Sequence, residues 1–209
     1  MISKRSLLRR SAAATVAASA ALVLAACGNG NDASAGHNGH TATSPSASAP
    51  LSQGQHNAAD VAFAKGMIPH HRQAIEMAGL AHSRAQSAEV KKLAEDTKKA
   101  QDPEIKTLSG WLTSWGEQAP AEGEMDHSVH GMAGMMSPQE MEKLTKNSSG
   151  AAFDTAFMEL MIKHHEGAVE MAKTEKAQGV CPDAKTMADA IVTSQSAENE
   201  QMNKLLGRS

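Results

Sequence analysis

The sequence predicts an all-α fold, a four-helix bundle built from two repeated helical hairpins. Three observations lead there. Shifted against itself by 94 residues without a gap, the chain lays 60–108 on 154–202 with 15 identities in 49 positions, eleven of them in the first 19. Within each copy, two stretches carry apolar residues at helical spacing. The two stretches are separated by only a few residues, so each copy folds back as an antiparallel hairpin, and two hairpins hide their apolar stripes by packing together.

The elements follow in order. Residues 1–27 read as an export signal: a basic start (Lys4, Arg5, Arg9, Arg10), an Ala/Val/Leu run too short for a membrane span, then LAAC ending at Cys27. The LAAC ending resembles a bacterial lipobox, in which Cys27 becomes the lipidated first residue; cleavage with Cys27 incidental is the alternative. The Arg9-Arg10 pair leaves the route open between general secretion and twin-arginine export. Residues 28–56 are Gly, Ser, Ala, Thr, Asn and Pro with little to bury, a tether that as random coil holds the domain roughly 30 Å from the membrane. The bundle domain spans 57–206. Its first hairpin is 58–84 with 87–115, where Leu93, Thr97, Ala100, Glu104, Leu108 and Trp111 recur at helical spacing. Its second is 150–178 with 183–206, where Met187, Ile191, Ser194, Glu198, Met202 and Leu205 do the same. A Gly-, Met- and His-rich connection, 116–149, joins them and ends in SPQEMEKL, whose Ser137, Pro138 and Glu140 supply cap, first-turn proline and capping-box acid for a short helix.

Composition narrows the function. Four of the 20 basic residues and none of the 23 acidic ones lie in the signal, so the exported chain carries a formal charge of −7. An acidic chain with three Phe, two Trp and no Tyr suits neither nucleic acid nor a stacking platform. With Cys27 lipidated, Cys181 is the sole thiol, so no internal disulfide is expected.

The strongest part of the repeat is MIPHHRQAIEMA, 67–78, written again as MIKHHEGAVEMA, 161–172. At 100° per residue, Met67 centres a face that includes Phe63, His70, His71, Ala74, Met77 and Ala78, while Glu76 falls opposite. Met161, His164, His165 and Met171 repeat the arrangement. Glu104 and Glu198 lie on the inward stripes of the partner helices, and a carboxylate brought into a core must be paired, protonated or bound to a cation. Imidazole, thioether and carboxylate converging inside a bundle make a candidate metal site. The alternative is a hydrogen-bonded core pair such as His70 with Glu104, with the methionines as gap-filling core residues. Pro69 predicts a kink in the first helix at its histidines; Lys163 stands there in the second copy, so the two sites need not be equivalent.

The connection carries the second signal. Met125, His127, His130, Met132, Met135 and Met136 crowd into twelve residues with no helical or strand period, and soft thioethers with imidazole suit Cu(I), imidazole also Cu(II). A flexible loop rich in Met and His by composition is the competing reading.

The pattern MIxHHxxAxEMA with a following Gln101, Glu104 and Ile105, repeated once and separated by a segment ending in GMMSPxEM, resembles domain-of-unknown-function family 305. The resemblance implies a ferritin-like four-helix bundle, export from a bacterial cell and, for some members, copper binding. It carries over to Met67, His70, His71, Met77 and Glu104, then Met161, His164, His165, Met171 and Glu198. Asn199, standing where the first copy has Ile105, departs from the pattern. The leading expectation is an extracytoplasmic lipoprotein, anchored to the outer face of the membrane through Cys27, that buffers, scavenges or chaperones copper as Cu(I) or Cu(II), with oligomeric state and any copper-delivery partner open. A ferritin-like di-metal oxidase is the enzyme alternative, and it wants more core-facing acids than this chain offers. A metal-free envelope module whose histidines sense pH is the third.

Overall fold

The computed structural model describes residues 54–121, 132–146 and 149–208. The described residues form five helices: α1 Ala58–Arg84, α2 Ala88–Ser114, α3 Pro138–Lys146, α4 Gly150–Gln178 and α5 Pro182–Leu205. The expected signal 1–27 with Cys27, the tether up to residue 53, and Met125, His127 and His130 lie outside the described residues. Among the described residues no helix is long and apolar enough to cross a membrane.

Helix ends follow local chemistry. Asn57 caps α1 by accepting from Ala59 N and Asp60 N, and Asp60 reaches back to Asn57 N, a reciprocal capping box. Ser87 accepts from Val90 N to cap α2. Ser137 accepts from Glu140 N at 3.3 Å while the Glu140 carboxylate takes the Ser137 N–H and hydroxyl at 2.8 Å, the box read from SPQE. Pro69 sits inside α1 without ending it.

The helices pack α1 on α2, α4 on α5, and α1 on α4. One apolar cluster joins Ala74–Ala81 of α1 to Phe153, Phe157 and Met161 of α4, with Val90, Leu93 and Met202. The other joins Phe63, Met67 and Ile68 to Ala168 and Ala172, with Leu108, Leu112 and Ile191. The C-terminal half of α1 thus meets the N-terminal half of α4 and the reverse, so these helices run antiparallel about a local dyad. The repeat is therefore also a near-symmetry of the fold, and its centre falls at the histidines.

The inward stripe of α1 is as expected: Phe63, Met67, His70, His71, Ala74, Met77 and Ala78 are buried and Glu76 is exposed. The partner helices need correction. Ala100, Ser194 and Leu205 are exposed, and Gln101 and Gln195 occupy the buried positions at mid-helix. In α2 the buried positions run Leu93, Thr97, Gln101, Leu108 and Leu112, and in α5 Ile191, Gln195 and Met202, so a four-residue step puts the glutamine inward where a three-residue step would put Ala100 or Ser194.

Each copy also ties the other shut. Asp154, at the start of α4, accepts from Gln86 N and Ser87 N in the α1–α2 join. Asp60, at the start of α1, accepts from Val180 N and Cys181 N in the α4–α5 join. These two matched acids are structural, each satisfying amides that a helix start leaves unpaired.

Candidate metal centre

Between the two apolar clusters lies a polar layer made by both copies. His70, His71, His164 and His165 are completely buried, and Gln101 and Gln195 nearly so. The histidines do not all pair within their own copy. His71 Nε2–H donates to Glu104 Oε2 at 2.7 Å and His165 Nε2–H donates to Glu198 Oε2 at 2.7 Å, with each carboxylate side chain 22% exposed. The partner of Glu104 is therefore His71, and the carboxylates stand at the rim of the layer. His70 and His164 meet one another across the dyad, ring centroids 3.7 Å apart and planes at 41°.

A strap from the connection covers this pair. Ala133 O accepts from His70 Nε2–H at 3.3 Å. Gln73 holds Met136 at both ends, donating to its carbonyl at 3.0 Å and accepting its N–H at 2.7 Å. Gly134 has φ +80° and lies against the backbone of Gly167 and the His164 carbonyl. A Cβ on Gly167 would stand 2.0 Å from the Ala133 oxygen, so only glycine admits the strap here. Met132 and Met171 approach Gly66 on the same side, and both are half-buried. Met67, Met77, Met136 and Met161 are buried, and Met135 is half-buried.

The electrostatics favour neutral donors. Burial first, then neighbouring His71 and to a lesser extent His165, push His70 down to about 3, opposed by the hydrogen bond to the Ala133 carbonyl. Burial and the neighbouring His70 and His165 hold His164 well below its usual range. At neutral pH both rings are uncharged and offer lone pairs. Three of their nitrogens, His70 Nδ1 and both of His164, have no hydrogen-bond partner in the layer. A buried polar atom left unpaired costs about 1–3 kcal/mol, which makes these nitrogens the feature that most needs a ligand.

Among the described residues no group of three or more His, Cys, Asp or Glu side chains is arranged to hold a metal ion. That donor set does not fit a hard cation wanting six or more oxygens. Two neutral imidazoles with thioethers close by fit a soft ion of low coordination number.

The profile of the Domain of unknown function family, DUF305, matches residues 60–206. The chain belongs to the DUF305 family. A DUF305 protein of Streptomyces coelicolor is 34% identical over 71% of this chain and 91% of its own, with a TM-score of 0.64. A DUF305 fragment from Deinococcus radiodurans is 31% identical over 73% and 98%, with a TM-score of 0.64. CopM in its Cu(I)-bound form is 33% identical over 70% and 94%, with a TM-score of 0.59. The same protein is also known in Cu(II)-bound and Ag-bound forms. No curated protein matches the chain.

Some residues of the layer escaped the sequence reading. Gln73 and Gly167 occupy the same repeat position and differ, so a search for identities passes over them. Gln101 and Gln195 are identical across the copies, a signal that was present in the repeat but carried no ligand chemistry. The Asn199 departure leaves the second copy intact: Asn199 donates to the Ile162 carbonyl at 3.5 Å, and His165–Glu198 has the same length as His71–Glu104.

Proposed function

We propose that this DUF305 protein binds copper outside the cytoplasm, taking Cu(I) as cargo at His70 and His164. The single observation behind the proposal is the buried pair of neutral imidazoles in ring contact, with three unpaired nitrogens, at the centre of a fold shared with copper-bound CopM. Both rings are already deprotonated at neutral pH, so binding there does not compete with protons.

The remaining candidates take roles that their positions support. Glu104 and Glu198 orient His71 and His165 through 2.7 Å hydrogen bonds, which leaves each Nδ1 unpaired within the layer. Met67 and Met161 stand one turn before the histidines, and Met171 and Met132 stand at the Gly66 edge of α1, as soft donors. Met77 packs in the apolar cluster and shapes the site from behind. Met135 and Met136 belong to the strap, and Met125, His127 and His130 precede it as a weaker capture segment. Cys27, lipidated, would hold the domain at the outer face of the membrane. Buffer, scavenger and chaperone all fit such a site.

The ferritin-like di-metal alternative needs carboxylates from all four helices of a bundle. Here the two acids nearest the layer are each engaged by a histidine of their own copy.

Competition between the purified protein and a chromogenic Cu(I) chelator tests the proposal. The double variant His70→Leu/His164→Leu keeps the volume and removes the donors. It is expected to bind Cu(I) at least about tenfold more weakly, on the order of one well-placed ligand lost. Unchanged affinity in a folded double variant would overturn the assignment.

A further inference from the structure

Where the first turn of α1 meets the α4–α5 join, two carboxyl groups are buried against each other. Asp60 of α1 and Glu175 of α4 are 0% and 1% exposed. Asp60 has donors in abundance, the Asn57, Val180 and Cys181 amides. Glu175 has none: neither of its oxygens meets a donor. Its carboxyl lies over Gly179, where a Cβ would stand 2.1 Å from Oε1, so the glycine makes room for it. The first copy is built otherwise. The positions of Glu175 and Gly179 are there Ala81 and Ala85, and Asp154 holds its join with no second acid.

Two carboxylates cannot both stay ionised in contact inside a core, and the arrangement is satisfied when one carries a proton and donates it to the other. We propose that Asp60 and Glu175 share one proton and form a latch between the first turn of α1 and the α4–α5 join, closed while Glu175 is protonated and released as it ionises.

The electrostatics assign the proton to Glu175. Burial first, then the hydrogen bond and charge of Asp60, push Glu175 up to about 8. For Asp60, burial pushes upward, but the hydrogen bond from Glu175 and the three backbone amides outweigh it and hold the group below its usual value. Lys185 of α5, whose ammonium donates to the Gly179 carbonyl at 3.2 Å, favours ionised Glu175 and limits the shift. The Cys181 thiol is pushed up by burial and by Asp60 and Asp183, so it stays protonated through neutral pH.

The sign of the pH effect follows. The folded pKa of Glu175 lies above its ordinary 4.5, so the folded protein holds this proton more tightly than the unfolded chain. The contribution is complete below about 4.5 and declines as pH rises through about 8. The latch loosens on the alkaline side.

The full-length, copper-free protein tests this. Carbon-13 NMR of glutamate side-chain carboxyls is expected to show one signal titrating near 8, absent in Glu175→Gln. The melting temperature of the wild type is expected to fall between pH 6 and pH 9, and that of Glu175→Gln to stay flatter, because the amide donates to Asp60 at every pH. Protection of the Val180 and Cys181 amides from hydrogen exchange, relative to the base-catalysed rate of an open chain at each pH, should fall over the same range in the wild type only. Should Glu175→Gln fail to fold, Glu175→Ala, which copies Ala81 of the first hairpin, serves for the same comparison. Every glutamate titrating in the ordinary range, or equal pH slopes in wild type and variant, would overturn the latch, and neither result bears on copper binding.

Discussion

The two hairpins agree where they hold their own histidine and differ where they meet the rest of the chain. His71–Glu104 and His165–Glu198 have the same length and the same carboxylate exposure. At the repeat position of Gln73 and Gly167 the copies part: the first hairpin grips the strap with a side chain, and the second removes its side chain so that the strap's backbone can lie down. Identity between the copies therefore marks the paired rim of the layer. Difference between them marks the asymmetric cover over a symmetric pair, so His70 receives a hydrogen bond partner from the strap and His164 does not.

Breaking the asymmetric cover should cost most. Gly167→Ala forces a methyl into the Ala133 carbonyl and is expected to destabilise by about 3 kcal/mol, the upper range for overpacking. In calorimetry that is about 8 °C for a domain of this size. Gln73→Ala leaves the buried Met136 N–H and carbonyl unpaired and should cost about 2 kcal/mol. A Gly167→Ala variant as stable as wild type would mean that the strap does not rest on α4.

The clamps come next and test the symmetry itself. Asp154→Ala frees the Gln86 and Ser87 amides, at an expected cost of about 2 kcal/mol by urea unfolding. Asp60→Ala should cost more, about 3 kcal/mol, because it frees the Val180 and Cys181 amides, breaks the capping box with Asn57 and leaves buried Glu175 without its acceptor. Equal losses in the two variants would show that the second acid adds nothing to the α4–α5 join. Smaller still, Glu104→Gln and Glu198→Gln should each cost about 1 kcal/mol, equal within error, since their geometries match. Unequal losses would show that Asn199, in place of Ile105, does disturb the second pair.

The fold was legible because its information is local. Helix spans came from periodicity and from the cap at Ser137, and the hairpins from short joins. The inward face of α1, including the outward Glu76, followed from one helical wheel. The site was legible only in its membership. Which histidine meets Glu104, and that His70 meets His164, depend on α1 and α4 running antiparallel about a dyad, and a repeat in sequence does not say how its copies are related in space. The strap contacts and the Asp60–Glu175 pair join residues 63 and 115 positions apart and are written as departures from the repeat, so a reading that looked for matches discarded them.

The smallest expected effect concerns a surface tie between the second hairpin and α3. Lys163 Nζ donates to Glu140 Oε1 at 2.7 Å, with side chains 50% and 29% exposed. The Lys163 hydrogen bond, then the Ser137 amide, hold Glu140 down to about 2. A depressed carboxyl stabilises the fold above its ordinary value of 4.5, and that contribution fades as pH falls toward 2. Solvent screens so exposed a pair, so Lys163→Met should cost less than about 1 kcal/mol at pH 7 and nothing near pH 2. Its first-hairpin counterpart is Pro69, which has no charge to offer, so this ion pair has no mate at the matching position of the first copy. If Lys163→Met lost as much stability near pH 2 as at pH 7, the lysine would be holding α3 through its packed methylenes and not through its charge.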